Sequence, residues 1–256
     1  VKGGRLAETL YPAEVLSLIL SDVLGDRLDV IASGPTAPDP TTYQDARRVL
    51  ERYDLLDKLP PAVITHIERG LRGEIPETPD ESSPVFDKTR NLIIGNLHRA
   101  IKAAEEKAQA LGFRTEIITE TLQGEATEAA KMLAQRAKET KGPAVLISGG
   151  ETTVTVRGSG KGGRNMELAL AFAIEIEATK GITLLSAGTD GTDGPTDAAG
   201  ALVDSETCLR ARKMDLDPEH YLRNNDSYNF FRQTGELFIT GPTGTNVMDL
   251  QIILVQ

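Results

Sequence analysis

Apolar positions along the chain follow two rhythms. Near the start, Val15–Leu20 (VLSLIL) is an almost unbroken apolar run that reads as a buried strand, and it leads into the polar turn Ser21-Asp22-Val23-Leu24-Gly25-Asp26. A short apolar stretch at 29–32 ends in Ser33-Gly34-Pro35-Thr36-Ala37-Pro38-Asp39-Pro40, which breaks regular structure. Residues 42–53 place Ala46, Val49 and Leu50 on one helical face, and 62–71 form a weaker helix. The stretch 73–84 (GEIPETPDESSP) is acidic, proline-bearing and nearly free of apolar residues, so it reads as a linker.

Beyond it the pattern becomes regular. Strands are expected at 91–95, 114–119, 144–148, 152–157, 182–186, 237–240 and 251–255. Helices are expected at 97–111, 125–138, 163–177, 206–214 and 227–234. Strands alternating with helices predict an α/β fold with a largely parallel sheet. The linker divides the chain into 1–85 and 86–256.

Composition narrows the function. With 28 Lys plus Arg against 38 Asp plus Glu among 256 residues, the formal charge is −10, which argues against nucleic acid as a partner. The single cysteine, Cys208, can form neither an internal disulfide nor a thiolate metal cage, and this fits a reducing cytoplasm. No apolar run approaches the roughly 20 residues of a membrane helix, and no signal-peptide core follows Val1. Because the first residue is Val, it is not read as the biological start. Homo-oligomerisation stays open.

Two loops carry candidate chemistry. Arg157-Gly158-Ser159-Gly160-Lys161-Gly162-Gly163-Arg164-Asn165 lies between a strand and a helix that is apolar on nearly all sides. Gly158, Gly160 and Gly163 match G-x-G-x-x-G, but the acidic residue expected about 20 positions on is poorly matched by Glu177 or Asp190. The loop is therefore read as a general anion site built on glycines, a helix start, Lys161 and Arg164, with a plain flexible turn as the alternative. A Walker loop is excluded, since Gly162 follows Lys161 where Ser or Thr is required.

The second loop, Ser186 to Asp197 (SAGTDGTDGPTD), follows the strand at 182–186 and holds Asp190, Asp193 and Asp197. Closely spaced carboxylates suit a hard cation such as Mg²⁺, so Asp190 and Asp193 are candidate ligands. Asp197 is equally well read as the cap of a helix starting at Ala198. Ser148-Gly149-Gly150-Glu151-Thr152 and Thr240-Gly241-Pro242-Thr243-Gly244-Thr245-Asn246 share this small-residue character and would line one polar crevice. The candidate binding residues are Gly149, Gly150, Glu151, Gly160, Gly162, Gly163, Asn165, Thr189, Thr243 and Asn246. His66, His98 and His220 lack metal-ligand spacing, and no Gly-x-Ser-x-Gly elbow supplies an acyl-transfer nucleophile.

Gly162-Gly163-Arg164-Asn165, the run Ser186 to Gly200 and the run Thr240 to Val247, with Val1-Lys2-Gly3-Gly4-Arg5-Leu6-Ala7 and Leu20-Ser21-Asp22-Val23-Leu24-Gly25-Asp26, together resemble the MOFRL family of glycerate kinases, some of which carry the older label hydroxypyruvate reductase. The resemblance covers essentially the whole chain. It implies a two-domain α/β enzyme that uses ATP and Mg²⁺ to phosphorylate the 2-hydroxyl of D-glycerate, with Asp22 and Arg164 in the active site. A lysine of the family's site lies in a part that precedes anything present here, so the chain looks like a kinase without its N-terminal portion. Met166 stands where the family typically has Gln. The competing readings are an NAD(P)H-dependent hydroxypyruvate reductase and a non-catalytic binder of small anions.

Overall fold

The computed structural model describes residues 1–177 and 179–256. It separates into two units, Val1–Ile19 with Gly25–Ile94 and Leu20–Leu24 with Gly95–Gln256.

The first unit holds α1 (Arg5–Leu10), most of β1 (Val15–Leu20), α2 (Tyr43–Arg52), α3 (Pro61–Leu71) and most of β2 (Thr89–Gly95). Helix α2 starts at a capping box, in which Thr42 Oγ1 accepts from the Asp45 amide and the Asp45 carboxylate accepts from the Thr42 amide. Gly70 lies flush against the Tyr43 ring, where a methyl group would strike it, so α2 and α3 meet closely. The acidic stretch 73–84 lies inside this unit. Arg5 Nη2 donates to the carbonyls of Pro76 and Glu77, and the Glu77 carboxylate accepts from the Tyr43 amide.

Strand β1 differs from the expected buried strand. Among the described residues it pairs only with β2, and successive side chains point to opposite faces. Leu16, Leu18 and Leu20 are exposed, as are Leu92 and Ile94 of β2, while Val15, Ser17 and Ile19 are partly covered. A continuous apolar run suggests burial on both faces, but here only one face is covered.

The second unit is built on a six-stranded sheet of order β3-β4-β8-β5-β6-β7. Its strands are β3 (Arg114–Leu122), β4 (Ala144–Gly150), β5 (Ile182–Gly188), β6 (Gly200–Asp204), β7 (Leu237–Phe238) and β8 (Asp249–Val255). Its helices are α4 (Leu97–Ala110), α5 (Ala126–Glu139), α6 (Arg164–Ile176), α7 (Thr207–Arg212), α8 (Pro218–Arg223) and α9 (Ser227–Thr234). The α/β class expected from the alternation is present, and β3, β4, β5 and β7 share one direction. Neighbour pairing is more mixed than a largely parallel sheet. Only β3–β4 is a parallel ladder, because the last strand, β8, inserts antiparallel between β4 and β5, and β6 returns beside β5 as an antiparallel neighbour.

Side chains alternate across this sheet. Leu146 of β4 with Ile253 and Val255 of β8 pack with α5, α6, α7 and α9 on one face. Val145 and Ile147 with Ile252 and Leu254 pack against Leu97 and Ile101 of α4 on the other. Helix α6 is buried from Asn165 to Ala173 and again at Ile176, as its nearly all-round apolar sequence requires.

Two local expectations fail for physical reasons, and one element had no expectation. Residues 152–157 are not a strand. They run extended beside the start of α5, where Thr153 forms an isolated bridge to Glu125, and the Thr155 amide and hydroxyl both donate to the Glu125 carboxylate. No helix begins at Ala198. β6 starts at Gly200, whose missing Cβ leaves room for the Ser186 carbonyl, and Asp197 instead accepts from the Tyr228 hydroxyl. Helix α8, begun by Pro218 and capped by Asp217, went unread because it is too short to show a period.

Candidate active site

The sheet register creates the site. Gly150 at the end of β4 and Gly188 at the end of β5 both stand opposite Asp249, the first residue of β8. The chain leaving β4 begins with Glu151 and the chain leaving β5 with Thr189 and Asp190, so all emerge around one buried carboxylate. Asp249 is 1% exposed.

Arg164, the first residue of α6, reaches this carboxylate. Its Nε donates to Asp249 Oδ2 at 2.6 Å and its Nη2 to Oδ1 at 3.0 Å, a side-on bidentate pair. Its Nη1 donates to Glu151 Oε1, also at 2.6 Å. Burial alone would lower the Arg164 pKa, but the hydrogen bond and charge of Asp249, then Glu151 and Asp193, raise it above its ordinary value. Burial pushes the Asp249 carboxyl up while its pairing with Arg164 pulls it down, and burial dominates.

Asp193 sits one step behind. Its Oδ1 accepts from the Asn165 amide at 3.1 Å and its Oδ2 from the Met166 amide at 2.8 Å, so it caps the first turn of α6 from another loop. A Cβ on Gly163 would fall on this carboxyl group, which is why glycine precedes Arg164. Asn165 Oδ1 accepts from Ser186 Oγ at 2.8 Å, tying the helix start to β5. Asp193 is 2% exposed, and burial raises its pKa to about 6 despite the two amides. The Met166 side chain is fully buried in the apolar cluster, so its polar contact is the backbone amide alone.

A cavity of about 750 Å³ opens on Arg164 and is also lined by Leu24, Gln123, Gly124, Glu151, Asp190 and Asp193, among others. A second cavity, of about 460 Å³, is lined by Leu20, Asp22, Asp190, Gly244, Thr245 and Asn246. Asp190 belongs to both. The structure therefore brings Arg164, Glu151, Asp190 and Asp193 to one cavity, and Asp22, Asp190 and Asn246 to the other. Among the described residues, the linings of these cavities do not include Gly149, Gly150, Gly160, Gly162, Gly163, Asn165, Thr189 or Thr243.

Several of these residues and their neighbours have structural roles. The amides of Arg157 and Gly158 donate to Asn225 Oδ1, that of Ser159 to Asn224 Oδ1, that of Gly160 to the Asn224 carbonyl and that of Lys161 to Asp226 Oδ1. Gly158 and Gly160 lie so close to Asn224 that a Cβ on either would collide with it. Between Gly158 and Lys161 the amides thus serve the protein itself, and Lys161 Nζ sits 4.4 Å above the Tyr228 ring. Thr189 Oγ1 accepts from the Val247 amide, and Thr243 Oγ1 donates to the Thr189 carbonyl, pinning the 240–248 loop to the aspartate loop. Gly149 lets Leu97 approach β4, and Gly150 lets Leu122 do so.

Asp249 escaped the sequence reading, since a lone acidic residue heading an apolar strand (DLQIILV) carries no local motif. Gln123 and Gly124 were missed for the same reason. The three histidines lie apart, with His66 on Tyr43, His98 on Glu120 and His220 edge-on to Tyr221. Burial pushes the Cys208 thiol to about 12, so it is inert as a nucleophile. Among the described residues no helix is long and apolar enough to cross a membrane.

Comparison with known proteins gives the family. The MOFRL family matches residues 144–249, and the domain of unknown function DUF4147 matches 1–68. Glycerate kinase of Macaca fascicularis is 37% identical over 306 residues, and the match covers all of this chain and 76% of that protein. This chain belongs to the glycerate kinase family. D-glycerate 2-kinase of Thermotoga maritima is 51% identical over the whole chain and 60% of its own length. A crystal structure of glycerate kinase from that organism superposes with a TM-score of 0.88 at 49% identity, covering 100% of this chain and 60% of that one. The chain thus spans about 60% of the length of the Thermotoga maritima protein.

Proposed function

We propose that the protein phosphorylates the 2-hydroxyl of D-glycerate with ATP. The observation that carries the reading is that the two segments resembling the family's site, the Asp22 turn and Arg164, open on cavities that share Asp190. Phosphoryl transfer needs positioned charges more than covalent chemistry. Arg164, fixed on its inner edge by Asp249, presents its remaining donors to a carboxylate or a transferring phosphoryl group. Asp22 accepts the proton of the glycerate hydroxyl as it attacks. Gly244, Thr245 and Asn246 contact the ligand beside Asp22, and the compartment is the cytoplasm.

The charge balance favours a metal-complexed nucleotide. One arginine faces four carboxylates, those of Glu151, Asp190, Asp193 and Asp249. Among the described residues no group of three or more His, Cys, Asp and Glu side chains is placed to hold a metal ion. A nucleotide-borne Mg²⁺ needs only one or two carboxylates, and when bound it offsets phosphate charge. Asp190 fits that task on the wall of both cavities. Asp193 fits less well, because it is 2% exposed and holds the α6 amides, whereas Asp190 is half-buried and, among the described residues, its carboxylate accepts only from Thr192 within its own loop. The metal role is therefore assigned to Asp190 alone.

A relative in Agrobacterium vitis, 42% identical, bears the name putative hydroxypyruvate reductase. The engaged amides of the glycine loop speak against that chemistry here, since a dinucleotide pyrophosphate needs them free. The kinase reading is tested by Arg164→Lys, which keeps the charge but loses the fork. Loss of about 10²–10³-fold in kcat/KM for D-glycerate is expected. Near-normal turnover refutes it.

A further inference from the structure

Arg164 has two carboxylate partners in unlike surroundings. The Asp249 side chain is 2% exposed, stands on a central strand, and holds the Nε–Nη2 edge of the guanidinium. The Glu151 side chain is 46% exposed, belongs to the loop after β4, and holds Nη1 at the cavity wall. Breaking a buried pair leaves an unpaired charge in low dielectric, whereas an exposed pair is weak and readily exchanged.

We infer that Asp249 is a positioning residue that fixes the guanidinium, and that Glu151 is an internal stand-in for the anionic ligand, occupying the place which a ligand's carboxylate or phosphoryl oxygen takes. This rests on the reading of Arg164 as the anion-recognising group. On binding, the ligand oxygen replaces Glu151 Oε1 on Nη1, and the Glu151 side chain turns to solvent. One negative charge leaves as another arrives, so an acidic cavity accepts an anion without a net gain of like charge. The exchange also rejects neutral analogues, because a neutral group replaces a charge-assisted hydrogen bond with a weaker one.

The test is the rate at which phenylglyoxal modifies Arg164 in the whole 256-residue chain, read by peptide mass mapping, alone and with D-glycerate or inorganic phosphate. Glu151→Gln should react about two- to fivefold faster, the worth of an exposed ion pair, and both anions should protect it at lower concentration than the wild type. Asp249→Asn should also react faster but be protected less, because a loosened guanidinium is not presented. A Glu151→Gln rate equal to or below the wild type, or weaker protection in that variant, overturns the inference. Should Asp249→Asn fail to fold, Glu151→Gln decides alone. Faster modification with no protection by either anion overturns the stand-in role, whereas protection by phosphate but not by D-glycerate upholds it and counts against the glycerate reading instead.

Discussion

Replacing Gly163 by Ala isolates the coupling between the aspartate loop and α6. The backbone there is extended (φ −148°), so a side chain brings no dihedral strain and the effect is purely steric. The added Cβ would come within 2.5 Å of the Asp193 carboxyl carbon and both oxygens. The carboxylate must move, and with it go two charge-assisted bonds to the Asn165 and Met166 amides. At the lower end of about 1.5–3 kcal/mol for each bond to a charged group, the loss is about 3 kcal/mol. For a unit of this size that lowers Tm by roughly 6–12 °C. Thermal unfolding followed by circular dichroism measures the shift, and amide chemical shifts of Asn165 and Met166 locate it. A Tm within about 2 °C of the wild type, with those two amides unmoved, would refute the capping role of Asp193.

Asp193 also predicts a pH dependence. Its pKa is raised on folding to about 6, so its contribution to stability is fully present below the unfolded value and is lost as pH rises through 6. Denaturation of wild type against Asp193→Asn should show the wild type losing as much as about 3 kcal/mol of its advantage between pH 4 and 7; an advantage that grows with pH contradicts this. Asn225→Ala removes the acceptor of the Arg157 and Gly158 amides and the donor to buried Glu167, and urea unfolding should register a loss of about 2–4 kcal/mol. Asp190→Asn should raise the Mg²⁺ concentration needed for half-maximal turnover by about tenfold, as expected when one of few carboxylate ligands is lost; an unchanged Mg²⁺ titration removes Asp190 from the metal role.

Legibility of the fold tracked periodicity. The long elements β4, α5 and α6 carry clear apolar patterns and fall close to where the sequence puts them. Strand β6 was hidden because five residues, two of them Gly and Ala, show no rhythm, and because the preceding turn resembled a helix cap. The direction of β8 could not be read either, since pairing partners depend on contacts about 100 residues apart, such as Ser148 with Gln251. At the site, Arg164 and Asp190 were visible as charges in glycine-rich loops. The glycines themselves misled. Gly158 and Gly160 match an anion loop in spacing, yet their lack of a Cβ serves close packing on Asn224, a partner more than 60 residues away. Asp249 belongs to the same class of long-range fact, for its importance appears only when β8 slots between β4 and β5.

The central claim is tested most directly by ATP consumption with D-glycerate and Mg²⁺, using this chain and a form extended to the length of its relatives, with the product identified by ³¹P NMR. The account predicts 2-phosphoglycerate from the extended form, and its loss in Arg164→Gln while the unfolding transition is retained. A folded extended form that transfers no phosphate, or an Arg164→Gln variant as active as the wild type, would contradict it.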